Sequence, residues 1–295
     1  MKKRIFEGAA VAIVTPMNEN GSVNFAKFAE LIDWQIEQGT DAIIVCGTTG
    51  EGSTLSPEEH VAVVKFCIQK VNHRVPVIAG TGSNDTAFSV KLSKEAEADG
   101  ADGLLLITPY YNKTSQNGLI AHFTAVADAV NIPCILYNVP GRTGMTITPE
   151  TCQVLSHHKN IVGIKEASGN LAQAARIANL CGDELVLYSG EDGLIVPMMS
   201  LGGKGVISVL SNVAPKETHD LVAACLKGDY EEGRRLQLKY LKLVDALFSD
   251  VNPIPVKEAL NLMGKEVGPC RLPLVPMTES GHENLKKCLL EVELI

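Results

Sequence analysis

This sequence predicts an α/β protein, a (β/α)8 (TIM) barrel carrying a small C-terminal helical appendage, on three observations. Short β-branched apolar runs alternate with longer amphipathic stretches, and the alternation recurs eight times within roughly the first 225 residues. The stretches between runs are long enough to hold a helix, and such crossovers force successive strands to run parallel. Beyond residue 228 the short runs stop and only helical spacing remains. A doubly wound open sheet is the alternative architecture, but it rarely uses eight such even units in one domain.

Strands are expected at residues 10–15, 42–46, 75–79, 103–108, 134–138, 161–165, 185–189 and 205–208. The first run follows Lys2-Lys3-Arg4 and could pass for a secretory signal, but Glu7 interrupts it and Thr15-Pro16 ends it as a strand ends. Thr15-Pro16-Met17-Asn18 stands where a dinucleotide site would need Gly-x-Gly-x-x-Gly. Ser56-Pro57-Glu58-Glu59 reads as a helix start, with an N-cap, a proline in the first turn and acids behind it, and Thr148-Pro149-Glu150 repeats the device. Asn84-Asp85-Thr86 starts another helix that ends near Gly100. The barrel is assigned to residues 1–228 and the helical domain to 229–295. The latter holds one long helix over 230–250, with Leu236, Tyr240, Leu243, Val244 and Leu247 at helical spacing, then Asn252-Pro253-Ile254-Pro255 and helices over 256–263 and 282–293. Stripes of this kind pack against a barrel or another subunit.

Composition removes several classes of function. With 45% hydrophobic and 20% charged residues the 295-residue chain is an ordinary globular protein, and a net charge of -8 offers no footprint for nucleic acid or an anionic membrane surface. No window approaches a membrane span. The eight cysteines form no Cys-x-x-Cys pair, so free thiols in a reducing cytoplasm are expected. The seven histidines show neither His-x-His nor His-Glu-x-x-His, so no metal or other cofactor is expected, and no Gly-x-Ser-x-Gly supports a serine nucleophile.

Barrel active sites lie at the C-terminal ends of the strands, so each strand end is a place to look for chemistry. Ile161-Val162-Gly163-Ile164-Lys165 ends in a lysine. An ammonium in an apolar wall is costly unless it is paired or gives up its proton, and a deprotonated amine is a nucleophile for carbonyl groups. The alternative is a stem lying on the barrel with its head in solvent. Gly47-Thr48-Thr49-Gly50-Glu51 offers backbone N–H groups and two hydroxyls suited to a small carboxylate, or is simply a capped glycine turn. Tyr137 ends the strand beside that of Lys165 and can pass protons, while Arg142 can hold a carboxylate by two parallel bonds. Ser189-Gly190-Glu191-Asp192 and Val206-Ile207-Ser208 are expected to supply main-chain groups and clearance rather than side-chain chemistry.

These residues resemble a known family. Gly47-Thr48-Thr49-Gly50-Glu51, Pro109-Tyr110-Tyr111-Asn112-Lys113, Tyr137-Asn138-Val139-Pro140-Gly141-Arg142-Thr143 and Gly163-Ile164-Lys165-Glu166-Ala167-Ser168 look like the motif set of the dihydrodipicolinate synthases, Schiff-base aldolases of the N-acetylneuraminate lyase superfamily. The resemblance spans essentially the whole chain, through Asn252-Pro253-Ile254-Pro255-Val256-Lys257. It implies an imine between Lys165 and pyruvate, whose enamine attacks L-aspartate 4-semialdehyde, and a proton relay of Thr48, Tyr137 and Tyr111, the last from a neighbouring subunit. Thr48 and Thr49 would bind the pyruvate carboxylate and Arg142 that of the second substrate, with Gly190 and Ile207 lining the pocket. A homotetramer of tight dimers is implied too. Arg142 separates this reading from the sialic acid and sugar-acid lyases, which usually carry a non-basic residue there. Where relatives are inhibited by L-lysine, an interface site uses an asparagine, a glutamate, histidines and a tyrosine. Asn84, His60 and Tyr110 match, but Phe88 stands at the glutamate position and Pro57 at a histidine. An apolar ring removes the partner of an ammonium, so weak or absent feedback inhibition is expected.

Overall fold

The computed structural model describes Lys2 and residues 4–295, so Lys3 of the basic opening run and Met1 of the barrel range lie outside the described residues. Eight strands, β1 (Gly8–Ala12), β2 (Ala42–Val45), β3 (Val77–Gly80), β4 (Gly103–Ile107), β5 (Cys134–Asn138), β6 (Ile161–Glu166), β7 (Val186–Ser189) and β8 (Gly205–Ser208), close in sequence order. Every neighbouring pair is parallel, including β8 with β1. The first strand sits two to three residues earlier than residues 10–15, because the Asn212 side chain replaces the ladder there. Its Nδ2 donates to Ala12 O at 2.9 Å and its Oδ1 accepts from Val14 N at 3.1 Å. β3 starts two residues later than expected, since Pro76 has no N–H to give a ladder.

The helices are α1 (Phe25–Glu37), α2 (Pro57–Val71), α3 (Thr86–Asp99), α4 (Gln116–Asp128), α5 (Pro140–Thr143), α6 (Pro149–Ser156), α7 (Leu171–Cys181), α8 (Ile195–Ser200), α9 (Pro215–Leu226), α10 (Tyr230–Leu247), α11 (Ile254–Leu262) and α12 (Glu279–Glu291). Their starts follow the sequence signals. Ser56 and Glu59 form a capping box on α2, Asp85 accepts from Ala87 N and Phe88 N at the start of α3, and Thr148 caps α6. α3 ends at Gly100, in the left-handed conformation at φ 97°.

Alternation along each strand divides the core into two layers. Ala10, Ala12, Ile44, Ile78, Leu105, Ile135, Tyr137, Tyr188 and Ile207 fill the barrel interior, while Val11, Ile43, Val45, Leu104, Leu106, Leu136 and Ile164 face the helices. The N-terminal mouth is plugged by Phe6, stacked on Tyr188 at 4.4 Å, with the Tyr188 hydroxyl donating to Phe6 O at 2.8 Å. The opposite mouth is left for chemistry.

In the C-terminal region α10 packs on α9 and α12, burying Leu236, Tyr240, Leu243, Val244 and Leu247, the stripe the spacing singles out. These side chains belong to the same apolar layer as the helix-facing barrel residues. Polar contacts then carry this region onto the barrel's C-terminal rim. Lys257 Nζ on α11 donates to Glu51 Oε1 at 2.8 Å and to Thr15 O at 3.2 Å, and Arg271 N donates to Glu51 Oε2 at 2.8 Å. Arg271 grips Glu59 through two parallel bonds of 2.7 and 2.6 Å.

Candidate active site

The register across β5, β6 and β7 sets Tyr137, Lys165 and Tyr188 in one row. Tyr137 and Tyr188 point into the barrel, and Lys165 is 5% exposed with Nζ 4.4 Å from the centre of the Tyr137 ring. The lysine has room because Gly190 has no side chain. A Cβ there would lie 2.6 Å from Ala167 Cβ and 2.9 Å from Lys165 Cγ. The solvent-reaching alternative for Lys165 is thereby removed.

Two lysines are buried among the described residues, and the contrast between them carries information. Lys257 is satisfied by Glu51 and two carbonyl oxygens, an arrangement that holds structure together. Lys165 makes no ion pair among the described residues. An amine held by a carboxylate and two carbonyls has nothing left to offer, whereas an unpaired one beside a phenol can give its lone pair to a carbonyl carbon.

The β7 end departs from the expectation of main-chain groups alone. Asp192 is fully buried and its Oδ2 accepts from Val209 N and Leu210 N, both at 2.9 Å, fixing the loop after β8. Burial pushes the Asp192 carboxyl up, against the pull of Ser208, those two N–H groups and Lys165. Burial also raises Glu191, reinforced by Asp192 and opposed by Lys165. The charge of Lys165 therefore reaches both acids through space. Two consecutive acids at a strand end were the available signal.

Behind the row, on the helix-facing side, Asn138 Nδ2 donates to Glu166 Oε2 at 2.8 Å, and Glu166 Oε1 accepts from Ser168 N at 2.7 Å. Asn138 Oδ1 in turn accepts from Ile147 N at 2.9 Å. Because side chains alternate, this pair locks the ends of β5 and β6 one residue beyond Tyr137 and Lys165. Sequence reading quoted both residues without giving them this task.

The β2 end turns sharply at Cys46, whose φ is 55°. A Cβ at Gly52 or Gly80 would come within 2.4 or 2.6 Å of the Cys46 carbonyl oxygen, so both glycines are required by close approach. Thr48 then faces a cavity of about 420 Å³ that Tyr110, Tyr137 and Arg142 also line. Thr49 is 2% exposed and lies behind this wall, its Oγ1 accepting from Asn252 Nδ2 at 3.0 Å. Arg142 projects from α5, exposed, with Nη2 donating to Asn252 O at 3.1 Å. Pro57, His60 and Phe88 line the same cavity.

The structure thus gathers Thr48, Tyr137 and Arg142 around one cavity, with Lys165 and Gly190 in contact below Tyr137 and Ile207 in the same interior cluster. It does not bring Tyr111 there. That ring is 92% exposed and its backbone sits at φ 70°, which throws it outward while Tyr110 turns in.

Residues 5–292 match the model of the dihydrodipicolinate synthetase family. A curated relative from Acetivibrio thermocellus, named 4-hydroxy-tetrahydrodipicolinate synthase, is 57% identical over 295 residues, covering 100% of both chains. Among solved structures, the chloride-inhibited dihydrodipicolinate synthase from Acinetobacter baumannii complexed with pyruvate superposes with a TM-score of 0.97 at 44% identity, covering 99% of this chain and 100% of that one. The enzyme from Cyanidioschyzon merolae with lysine bound gives 0.96 at 42% identity, with the same coverage of 99% and 100%.

Proposed function

Because this chain belongs to the dihydrodipicolinate synthetase family, we propose that Lys165 is the amine on which it condenses pyruvate with L-aspartate 4-semialdehyde. The enzyme is a Schiff-base lyase, and its product, 4-hydroxy-tetrahydrodipicolinate, leads to diaminopimelate and lysine. The observation that carries the assignment is a buried lysine with no ion pair among the described residues, set against a tyrosine ring at 4.4 Å.

The lysine nitrogen adds to the pyruvate carbonyl carbon, and loss of one water leaves the imine. The imine draws electrons from the neighbouring methyl group, which gives up a proton and becomes an enamine. The enamine carbon bonds to the aldehyde carbon of the second substrate, and the aldehyde oxygen takes a proton. The amino group of that substrate then attacks the imine carbon, closing the ring and releasing Lys165 as the free amine. One water is lost overall. Tyr137 and Thr48 move the protons, with Tyr111 supplied by a neighbouring subunit. Its exposure and outward-turned backbone support that origin. Thr48 and Thr49 take the pyruvate carboxylate, Arg142 the carboxylate of the semialdehyde, and Gly190 and Ile207 shape the pocket. On this reading residues 1–228 carry the chemistry and 229–295 hold its rim in place. The assembly is a homotetramer of tight dimers in the cytoplasm; among the described residues no helix is long and apolar enough to cross a membrane.

Turnover of aspartate semialdehyde, N-acetylmannosamine and glyceraldehyde with pyruvate tests the reading. The semialdehyde should be preferred, and Arg142→Ala should raise its KM while leaving that of pyruvate nearly unchanged. Preference for either sugar aldehyde would overturn the assignment of Arg142.

A further inference from the structure

Asn252 touches two of the three residues assigned to substrate carboxylates, Thr49 and Arg142. It is 5% exposed, its Nδ2 donates to Thr49 Oγ1 at 3.0 Å, and its main-chain oxygen accepts from Arg142 Nη2 at 3.1 Å. A threonine hydroxyl has one proton, while an amide nitrogen can only donate. With Asn252 giving a proton to its oxygen, the Thr49 hydroxyl must spend its own elsewhere, and it has no acceptor for it among the described residues. The main-chain N–H groups of Thr48 and Thr49 likewise donate to nothing among the described residues. The loop therefore holds three donors without an acceptor among the described residues, a set that suits an oxygen anion and no donor.

We propose that Asn252 is a positioning residue that sets the polarity of the Thr49 hydroxyl, so that this loop accepts a carboxylate, and that it ties this subsite to Arg142 through its main chain. The inference rests on Thr49 binding the pyruvate carboxylate. It reaches beyond that reading by assigning the carboxylate preference to a residue more than two hundred positions away in the chain.

Aspartate at 252 has the shape of asparagine but only accepts when ionised. It would take the Thr49 proton and turn lone pairs, with a negative charge behind them, toward the substrate. A space-filling role would make Asn252→Asp milder than Asn252→Ala. A polarity role makes it worse.

The test uses the full-length enzyme and steady-state kinetics for pyruvate, with melting curves to establish that each variant is folded. Asn252→Ala should raise the pyruvate KM about 3- to 10-fold with a smaller change in kcat, the size expected for one hydrogen bond. Asn252→Asp should raise it about tenfold further at neutral pH and recover as the pH falls and the new carboxyl is protonated. An Asn252→Asp enzyme no worse than Asn252→Ala, or a deficit that ignores pH, overturns the proposal. A double-mutant cycle gives a second route if the aspartate variant does not fold. Once Thr49→Val has raised the KM, adding Asn252→Ala should raise it no more than about twofold, and full additivity overturns the proposal. If Thr49→Val leaves the pyruvate KM unchanged, the reading of Thr49 as a carboxylate ligand is the one that fails.

Discussion

Removing one partner of the Lys257–Glu51 pair should cost more than removing both. The two side chains are 2% and 1% exposed and meet at 2.8 Å. Lys257→Met leaves the Glu51 carboxylate buried with the Arg271 N–H as its remaining partner. Stranding one charge of a buried pair costs about 3–5 kcal/mol, while replacing both with groups of similar volume is often near neutral. Lys257→Met and Glu51→Gln should each lower stability by about that much, and the double variant should lose only about 1–3 kcal/mol. At roughly 2–4 °C per kcal/mol for a large domain, each single change lowers Tm by on the order of 10 °C. Urea unfolding followed by the fluorescence of Trp34, the single tryptophan, measures the cycle. Because Glu51 follows Thr48 and Thr49 within one loop, the pyruvate KM of the single variants should rise as well. Single losses below about 1 kcal/mol, or a double variant as unstable as the sum of the two, would refute the reasoning.

Other outcomes follow from the same geometry. Gly190→Ala puts a methyl 2.9 Å from Lys165 Cγ and 2.6 Å from Ala167 Cβ, so trapping of the pyruvate imine should slow about tenfold while stability falls by about 1–3 kcal/mol, read by single-turnover trapping and by melting. L-lysine should inhibit weakly or not at all, since Phe88 and Pro57 line the cavity and offer its ammonium no carboxylate; a micromolar inhibition constant would contradict this. Arg271 beside it, and then the Ser56 N–H, hold the Glu59 carboxyl down from 4.5 to about 2. A depressed carboxyl stabilises the fold above its unfolded value and loses that contribution as the pH falls, here between about 4.5 and 2. The decline in stability over that window should be shallower in Arg271→Met, by a small amount because the pair is half-exposed.

The barrel was legible because a strand buried on both faces needs a continuous apolar run, and eight such runs separated by capped helices admit few arrangements. The first strand shifted for a reason no local pattern carries, since the group that replaces its ladder, Asn212, is 198 residues from Val14. Lys165, Tyr137, Thr48 and Arg142 stood out as residues that a strand end does not need for folding. What stayed hidden depends on contacts between distant segments. Lys257 lies 206 residues from Glu51 and Asn252 lies 203 from Thr49, so neither pairing has a spacing to read. Glu166 and Asn138 were visible as motif letters, but their task follows from register, which appears only when β5 and β6 pair. Tyr111 is a different case, because its assigned place lies on another copy of the chain.

Reductive trapping tests the central claim most directly. The enzyme is incubated with pyruvate and borohydride, digested, and the modified peptide is mapped by mass spectrometry, alongside Lys165→Ala. The account predicts one reduced pyruvate per chain, on Lys165, with inactivation in proportion to labelling, and an unlabelled, inactive Lys165→Ala protein that melts within a few degrees of the parent. Labelling at another lysine, or substantial turnover by Lys165→Ala, would contradict it.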